Sequence, residues 1–255
     1  MLTFIIAIIF FIISIFLVYL LIKNDKGEKE PVIALWTAAA FGVGGVIIAV
    51  FIESVVFHSQ PLNPGLGSIH LFSQAFLIGF IEEACKFLPL AIFIYKKRYF
   101  NEHTDGVIYF AIAGISFGLP ENILYTISYG SSVGIGRLIL TPLFHAALTG
   151  MVGYFLAKYK IEKKNLLKII PYFLIAVLLH GLYDFGLSSQ NNLYITISIL
   201  ITISLTLALY FLYIRATDLD RELGLSATGI NNYCRNCGNI NKAHHLYCTN
   251  CGNQT

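Results

Sequence analysis

Long apolar segments alternate with short polar ones along the whole chain. Each apolar segment contains about 20 or more residues with few polar interruptions, which is the length that an α-helix needs to cross a bilayer. The short alternating segments typical of membrane β-strands are absent. The predicted transmembrane helices are Leu2–Ile22, Val32–Ile52, Leu71–Tyr95, Gly106–Tyr129, Arg137–Ala157, Lys168–Leu187 and Leu193–Ile214. The pattern therefore predicts an all-α polytopic membrane protein with about seven transmembrane helices.

The composition of the 255 residues agrees with a membrane location. Hydrophobic residues make up 56% of the chain and charged residues 12%, whereas soluble domains average roughly 45–50% and 25%. The mean hydropathy is +0.72. A single soluble core of this length cannot bury so much apolar surface, which argues against a soluble enzyme. The net charge of +3 is small, and we expect no nucleic-acid partner.

The lysine and arginine residues predict the orientation in the membrane. Eleven of them lie in every second connection, and four more follow Ile214. The intervening connections carry none, and only Lys86 and Arg137 fall outside this alternation. Because basic residues accumulate on the cytoplasmic side, we expect a multi-pass cell-membrane protein with its N-terminus outside and its C-terminus in the cytoplasm.

The C-terminal part of the chain is polar and contains four regularly spaced cysteines. We divide the chain into a membrane domain at 1–217, a linker at 218–229 and a small cytoplasmic module at 230–255. Two C-x-x-C pairs lie in that module, each followed by glycine, and this spacing is typical of a zinc ribbon with a structural zinc ion. The alternative, a disulfide module, is disfavoured on the reducing cytoplasmic side. The predicted zinc ligands are Cys234, Cys237, Cys248 and Cys251.

Ionisable residues inside four consecutive predicted spans are the candidates for function. Burying such groups in a bilayer is costly, so each one indicates a functional role. Most of them lie eight to eleven residues from the outer end of their span, or about 12–17 Å below that surface. The set consists of Glu82, Glu83, Lys86, Glu121, His145, His180 and Asp184. The shared depth predicts one polar chamber in the outer half of the membrane.

Helical spacing indicates which of these side chains can interact. Lys86 is four residues from Glu82 and three from Glu83, so its ammonium group can reach either carboxylate. The two adjacent glutamates point about 100° apart, which predicts different roles for them. His180 and Asp184 share a helix face and could both approach one metal ion or water molecule.

The chemistry that suits this chamber is the activation of water. A desolvated carboxylate can act as a base near neutral pH. His145, His180 and a carboxylate such as Asp184 could hold a catalytic zinc ion with one open position. The same histidines could instead donate hydrogen bonds to an oxyanion without a metal, and spacing alone leaves both alternatives open. Tyr125 shares a helix face with Glu121 and could hold its carboxylate.

Four motifs in order resemble a known family. Residues 82–86 match E-E-x-x-K, residues 117–125 match F-x-x-x-E-N-x-x-Y, a single His145 follows, and residues 180–184 match H-x-x-x-D. The region Leu71–Leu187 resembles the PrsW family of intramembrane proteases, relatives of the CAAX prenyl proteases and the bacteriocin-processing proteins. The resemblance implies a membrane-embedded peptidase, usually assigned to the metallo type. Its substrates would be membrane-anchored proteins such as anti-sigma factors, cleaved in regulated intramembrane proteolysis.

The resemblance also implies roles for single residues. Either Glu82 or Glu83 would activate water, and the rest of the centre would consist of Lys86, Glu121, His145, His180 and Asp184. Asn122 and Tyr125, which belong to the second motif, would bind substrate or support the centre. The zinc ribbon lies outside the family pattern and would either recruit a cytoplasmic protein partner or only cap the tail.

Two functions of other classes compete with the protease. Intramembrane Glu, His and Lys residues also line ion paths, so an ion-coupled or proton-coupled transporter is the first alternative. The shared depth of the polar groups argues against it, because a transport path requires groups along the whole crossing. A non-catalytic membrane scaffold that binds through its zinc ribbon is the second, and the desolvated polar groups argue against that. We expect Glu53 and His103, near span ends, to be structural.

Overall fold

The computed structural model describes residues 2–25, 27–57, 68–223, 225, 232–234, 236–237, 240–241 and 247–253. Within these residues it contains seven long α-helices, a short helix α5, a 3₁₀ turn at Leu166–Ile169 and two very short strands. The helices are α1 (Leu2–Asn24), α2 (Val32–Val56), α3 (Ser68–Phe93), α4 (His103–Tyr129), α5 (Ser131–Arg137), α6 (Leu140–Ile161), α7 (Ile170–Ser188) and α8 (Asn192–Glu222). The strands β1 (Asn232–Tyr233) and β2 (Ile240–Asn241) pair antiparallel in the C-terminal segment.

The long helices coincide with the predicted transmembrane segments, which confirms the all-α polytopic fold. Among the described residues, six helices are long and apolar enough to cross a membrane, namely α1, α2, α4, α6, α8 and α7 with the 3₁₀ turn before it. The exception is α3, which has 26 residues but carries Glu82, Glu83 and Lys86 in its second half. The seventh predicted span is therefore present as a helix, and its ionisable groups lower its apolar character.

Two helix boundaries differ from the prediction. Arg137 ends the short helix α5 and does not begin the fifth span, which starts at Leu140. The last span continues through Glu222, so the first five residues of the predicted linker 218–229 are helical. Tertiary contacts explain this extension, because Ala216 and Asp220 are buried against the rest of the bundle. The other boundaries of the linker and the ribbon lie in part outside the described residues.

Helices α4 and α6 form the centre of the bundle. Most of their residues are buried, whereas α1 and α8 expose large apolar side chains, as expected of helices that face lipid. Glycines allow the two central helices to touch backbone to backbone. A Cβ atom on Gly106 would lie 2.2 Å from the carbonyl oxygen of Gly153. This contact fixes the relative position of the two helices that carry Glu121 and His145.

The N-terminal end of α4 is capped by residues from both neighbouring and distant parts of the chain. Glu102 and Asp105 form a capping box. In addition, the Asp220 carboxylate on α8 accepts hydrogen bonds from the backbone N–H groups of His103 (2.7 Å) and Thr104 (3.0 Å). Asp220 is 1% exposed, so these bonds are formed away from solvent. They hold the end of α8, which leads to the cysteine-rich segment, against the start of α4.

Candidate active site

The four helices α3, α4, α6 and α7 bring the predicted site residues into one buried cluster. All seven residues are at most 8% exposed: Glu82, Glu83 and Lys86 on α3, Glu121 on α4, His145 on α6, and His180 and Asp184 on α7. A close crossing of α3 and α7 contributes to this convergence. A Cβ atom on Gly79 would lie 3.0 Å from the Cβ atom of His180, so a larger residue would push the two helices apart.

Lys86 lies at the centre of the cluster. Its ammonium nitrogen is 2.8 Å from Oε1 of Glu83, 3.3 Å from Oε2 of Glu82 and 2.9 Å from Nδ1 of His145. It also lies 4.2 Å from the centre of the Phe117 ring. Lys86 therefore contacts both glutamates, as the helical spacing allows. Its positive charge lies against the two carboxylates of α3, and its contact with His145 links α3 to α6.

His180 distinguishes the two glutamates. Its Nδ1 atom lies 2.8 Å from Oε1 of Glu83, the same oxygen that accepts from Lys86. Its Nε2 atom lies 3.5 Å from both Oε2 of Glu82 and Oδ2 of Asp184. Glu83 is thus held by two short contacts, whereas Glu82 makes only longer ones. The different roles that the helical spacing predicts are visible in these contacts.

Glu121 is held between a histidine and an arginine. Its Oε2 atom lies 2.6 Å from Nε2 of His145, and its Oε1 atom accepts a hydrogen bond from the guanidinium of Arg137. Arg137 also donates from Nε to Oδ1 of Asn122 at 2.8 Å. The guanidinium carbon lies 3.9 Å from the centre of the Tyr125 ring. The Tyr125 ring therefore supports Arg137, and the predicted contact of its hydroxyl group with Glu121 is not formed.

Sequence reasoning missed Arg137 as a site residue. Its contacts with Glu121 and Asn122 join residues 15 and 16 positions apart through the turn between α4 and α5, which helical spacing does not reveal. A signal was present, because Arg137 and Lys86 are the two basic residues outside the cytoplasmic connections of the predicted topology.

Glu53 was expected to be structural, but the structure relates it to the same cluster. Its Oε1 atom is buried and has no hydrogen-bond partner. Its carboxylate is close enough to Glu121, Asp184 and Lys86 for direct charge–charge interaction. Asn122 contributes a second such atom, since its buried Nδ2 atom also lacks a partner. Buried polar atoms normally form hydrogen bonds, so both atoms are candidates for contact with a ligand.

Aromatic rings surround the two histidines. Phe144 lies edge-on to His180 with ring centres 5.3 Å apart and stacks on Tyr183 at 3.9 Å. Phe117 lies 5.5 Å from the ring of His145. These rings keep the surroundings of the cluster apolar, which strengthens the electrostatic interactions inside it.

One group of residues in the cluster meets the geometric requirement for a metal site. Glu82, His145 and His180 can each offer one ligand atom, and these atoms lie within 4.8 Å of one another. Two histidines and a carboxylate with an open fourth position are a common donor set for catalytic zinc. The sequence prediction named Asp184 as the carboxylate of this set, whereas the structure favours Glu82.

The four C-terminal cysteines form a second group that could hold a metal ion among the residues that the structure describes. Their sulfur atoms lie within 4.8 Å of one another, with 3.3 Å between Cys234 and Cys251 and 3.5 Å between Cys237 and Cys248. Burial disfavours the ionised thiol of Cys248, but hydrogen bonds from the backbone N–H groups of Cys251 and Asn250 outweigh it and lower its pKa to about 6. A thiolate near neutral pH is the form that binds metal.

Comparison with known proteins agrees with this geometry. Residues 30–214 match the family described as PrsW family intramembrane metalloprotease. The chain is 33% identical to the protease PrsW of Bacillus subtilis over 172 residues, which cover 66% of this chain and 76% of that protein. It is 30% identical to the protease PrsW of Clostridioides difficile over 190 residues, which cover 71% and 77% of the two chains. No solved structure matches the chain.

These matches cover α2 to α7 and most of α8, and therefore the whole buried cluster. They confirm the family resemblance read from the four motifs. They also favour a hydrolase over the transporter and the scaffold. The cysteine-rich segment lies beyond the matched residues. The chain belongs to the PrsW family of intramembrane metalloproteases and is a membrane-embedded protease.

Proposed function

We propose that the buried cluster hydrolyses a peptide bond in a membrane-anchored protein. The observation that carries this proposal is the convergence of three acceptor atoms, namely Nε2 of His180 and one carboxylate oxygen each of Glu82 and Asp184. A carboxylate at Nδ1 favours a proton on that nitrogen, so Nε2 presents its lone pair. Glu82 and Asp184 each place an oxygen 3.5 Å from this lone pair. Three acceptors around one point require a donor or a cation between them, and a water molecule suits that place.

Glu82 is the proposed general base. Glu83 is held at 2.8 Å by both Lys86 and His180, so its role is to orient these two side chains. Glu82 contacts Lys86 at 3.3 Å and is freer to accept a proton from water. The proton can then pass to the leaving amine, as in other general acid–base mechanisms. This assignment chooses between the two glutamates that the sequence left open.

Other residues of the cluster are proposed to bind the substrate. The Nδ2 atom of Asn122 lacks a partner and can donate to the carbonyl oxygen of the scissile peptide. Arg137 holds Asn122 through its other amide atom and holds Glu121 at the same time. Glu121 in turn fixes the ring of His145. These contacts therefore hold the amide group of Asn122 and the imidazole of His145 in place.

A catalytic zinc ion fits the donor set of Glu82, His145 and His180. When bound, zinc would lower the pKa of a water ligand and polarise the scissile carbonyl group. Lys86 contacts both Glu82 and His145, so its ammonium group and a metal ion compete for the same donor atoms. Lys86 therefore has a second proposed role, which is to satisfy these donors when no ion is bound.

Catalysis by Glu82 is tested with purified protein and a single-span substrate in proteoliposomes. Glu82→Gln should lower the cleavage rate by at least about 100-fold, the usual contribution of a general base. Glu222→Gln, which changes an exposed carboxylate at the far end of α8, is the matched control and should cleave normally. Normal cleavage by Glu82→Gln would contradict the assignment. Normal cleavage by each of the three single variants Glu82→Gln, Glu83→Gln and His180→Ala would contradict the hydrolytic centre as a whole.

The metal content of the full-length protein tests the zinc proposal. The cysteine cluster is proposed to hold one structural zinc ion, so Cys248→Ser should lose that ion and keep any other. A second ion that disappears in His145→Ala and His180→Ala would support the metallo form of the centre. Full activity in a strong chelator, with one ion per chain at most, would favour hydrolysis by glutamate alone.

We further propose an organisation of the chain around this activity. The membrane domain spans 1–217 with the N-terminus outside, followed by the linker 218–229 and a cytoplasmic zinc ribbon at 230–255. The proposed substrates resemble anti-sigma factors, and the ribbon would recruit a cytoplasmic protein partner or cap the tail. The alternation of basic and uncharged connections supports the orientation.

A further inference from the structure

An apolar groove opens between α2 and α4 beside the catalytic cluster. At Gly42 and Ala113 these helices are in close contact, since a Cβ atom on Gly42 would lie 2.3 Å from the carbonyl oxygen of Ala113. Pro120 then removes a backbone hydrogen bond from α4 and bends it. Beyond that point the helices enclose a cavity of about 350 Å³. Its lining consists of Val46, Ile47, Val50, Pro120, Ile123 and Leu124.

The groove is adjacent to the catalytic centre on one side of α4. Pro120 lines it, and the next residue, Glu121, points into the cluster towards His145 and Arg137. Val50 and Leu124 are 44% and 43% exposed, so the groove is open on its outer side to the lipid that surrounds the bundle. A transmembrane segment lying there would pack against α4, the helix that carries Glu121.

Glu53 lies at one end of this groove. It shares a face of α2 with Val46 and Val50, because the three positions are separated by four and three residues. Its Oε1 atom is buried and has no hydrogen-bond partner, and its carboxylate interacts with the negative charges of Glu121 and Asp184 and with the positive charge of Lys86. A buried oxygen atom without a hydrogen-bond partner is unfavourable, and a donor or a cation from a bound ligand would satisfy it.

The described part of the chain commits its nearby cations elsewhere. Lys86 is held by Glu83, Glu82 and His145, and Arg137 is held by Glu121 and Asn122. The sequence from Ser54 to Ser68 contains no lysine or arginine that could serve instead. Among the described residues, Lys86 and Arg137 are therefore engaged by other groups, and a basic group of a bound ligand could pair with Glu53.

We propose that the α2–α4 groove binds the transmembrane segment of the protein substrate and that Glu53 binds a lysine or arginine next to that segment. This rests on the proposed function, since it assigns the substrate-binding surface of the same centre. The apolar lining suits a hydrophobic helix, and the carboxylate at its end suits a basic residue that follows the helix. Glu53 is then a specificity-determining residue, and it selects substrates with a positive charge beside the cleaved span.

Charge-swap variants of the enzyme and of the substrate test the role of Glu53. Three otherwise identical single-span substrates carry Lys, Gln or Glu beside the span, and KM and kcat are measured in proteoliposomes. Glu53→Gln should raise KM for the Lys substrate about tenfold or more, the usual effect of losing a charge-assisted hydrogen bond, and leave kcat unchanged. It should not change KM for the Gln substrate. Glu53→Lys should reverse the preference and favour the Glu substrate.

Filling the groove tests the binding of the span itself. Val50→Trp should raise KM for all three substrates, whereas Ile203→Trp, on the lipid-facing surface of α8, should leave it unchanged. Equal effects of the two tryptophan variants would overturn the groove assignment. A groove that normally holds only a lipid would show the same KM values in Val50→Trp and in wild type.

The outcomes separate this inference from the proposed function. If the wild-type enzyme cleaves but Glu53 variants affect the Lys, Gln and Glu substrates equally, then Glu53 does not read charge and the inference is wrong, while the protease remains. If Glu53→Gln lowers kcat on every substrate, Glu53 belongs to the catalytic groups and the specificity role is wrong. If the wild-type enzyme cleaves none of the substrates and Glu82→Gln has no effect anywhere, the proposed function itself fails.

Discussion

Arg137→Ala removes the cation that two neighbouring residues of α4 share. In the wild-type protein, the guanidinium donates to the carboxylate of Glu121 and to Oδ1 of Asn122, and it stacks on the ring of Tyr125. Arg137 is 7% exposed, so water cannot replace these contacts without opening the turn. The variant leaves Glu121 with His145 as its remaining partner in the cluster.

The expected loss of stability follows from these contacts. Two hydrogen bonds to ionised groups contribute about 1.5–3 kcal/mol each, and removing one partner of a buried ion pair costs about 3–5 kcal/mol. For a chain of this length, 1 kcal/mol changes the melting temperature by about 2–4 °C, so Arg137→Ala should melt roughly 6–20 °C lower. Cleavage should fall by at least about tenfold, because Glu121 is then free to rotate and His145 loses its fixed orientation.

Thermal unfolding in detergent and cleavage in proteoliposomes measure the two effects on the same preparations. Arg137→Lys keeps the charge but has a single nitrogen, which cannot reach Glu121 and Asn122 together. It should recover part of the melting temperature but little of the rate. Arg221→Ala is the matched control, since Arg221 is exposed and its closest contact to Asp218 is 3.9 Å. An Arg137→Ala protein that melts and cleaves like this control would refute the proposed support of Glu121.

Three further predictions concern packing, pH and orientation. Gly106→Ala should destabilise the protein by about 1–3 kcal/mol in thermal unfolding, because its Cβ atom would clash with the backbone of Gly153, whereas Gly136→Ala has free space and should be neutral. Burial raises the pKa of the Glu102 carboxyl to about 8, so the folded protein holds this proton more tightly than the unfolded chain, and stability should fall as the pH rises from about 5 to 8. Glu102→Gln should reduce this pH dependence of the melting temperature. An unchanged pH dependence in the variant would show that other groups cause it. In intact cells, an impermeant maleimide should label Gly136→Cys and not Lys163→Cys, and the reverse pattern would invert the proposed orientation.

The sequence allowed the prediction of the helices because membrane helices are defined mainly by apolar length. It also allowed the prediction of the site residues on α3, α4, α6 and α7, since ionisable groups are conspicuous among apolar neighbours. The extension of α8 to Glu222 was missed, because its polar sequence gives no local helix signal. Its helical state depends on Asp220, which finds its partners on α4, more than one hundred residues earlier in the chain.

The contacts of the site could be predicted only within one helix. The spacing of Lys86 from Glu82 and Glu83 is local, and the structure shows both contacts. Arg137 and Glu53 lie near the cluster because of the way their helices pack against the others. The hydrophobic periodicity of the sequence contains no information about that packing. The same reason explains why Glu82, on another helix, takes the place of Asp184 in the group that could hold a metal ion.

The distribution of the centre over four helices has a consequence for biosynthesis. Glu82 and Glu83 emerge from the ribosome first, whereas His180 and Asp184 follow about one hundred residues later on α7. Until α7 has been inserted and packed against α3, Glu82 and Glu83 lack their contacts with His180. A nascent chain that ends before α7 therefore lacks part of the proposed centre. Under the proposed mechanism it cannot yet hydrolyse a peptide bond, so the order of the helices would delay activity until α7 is in place.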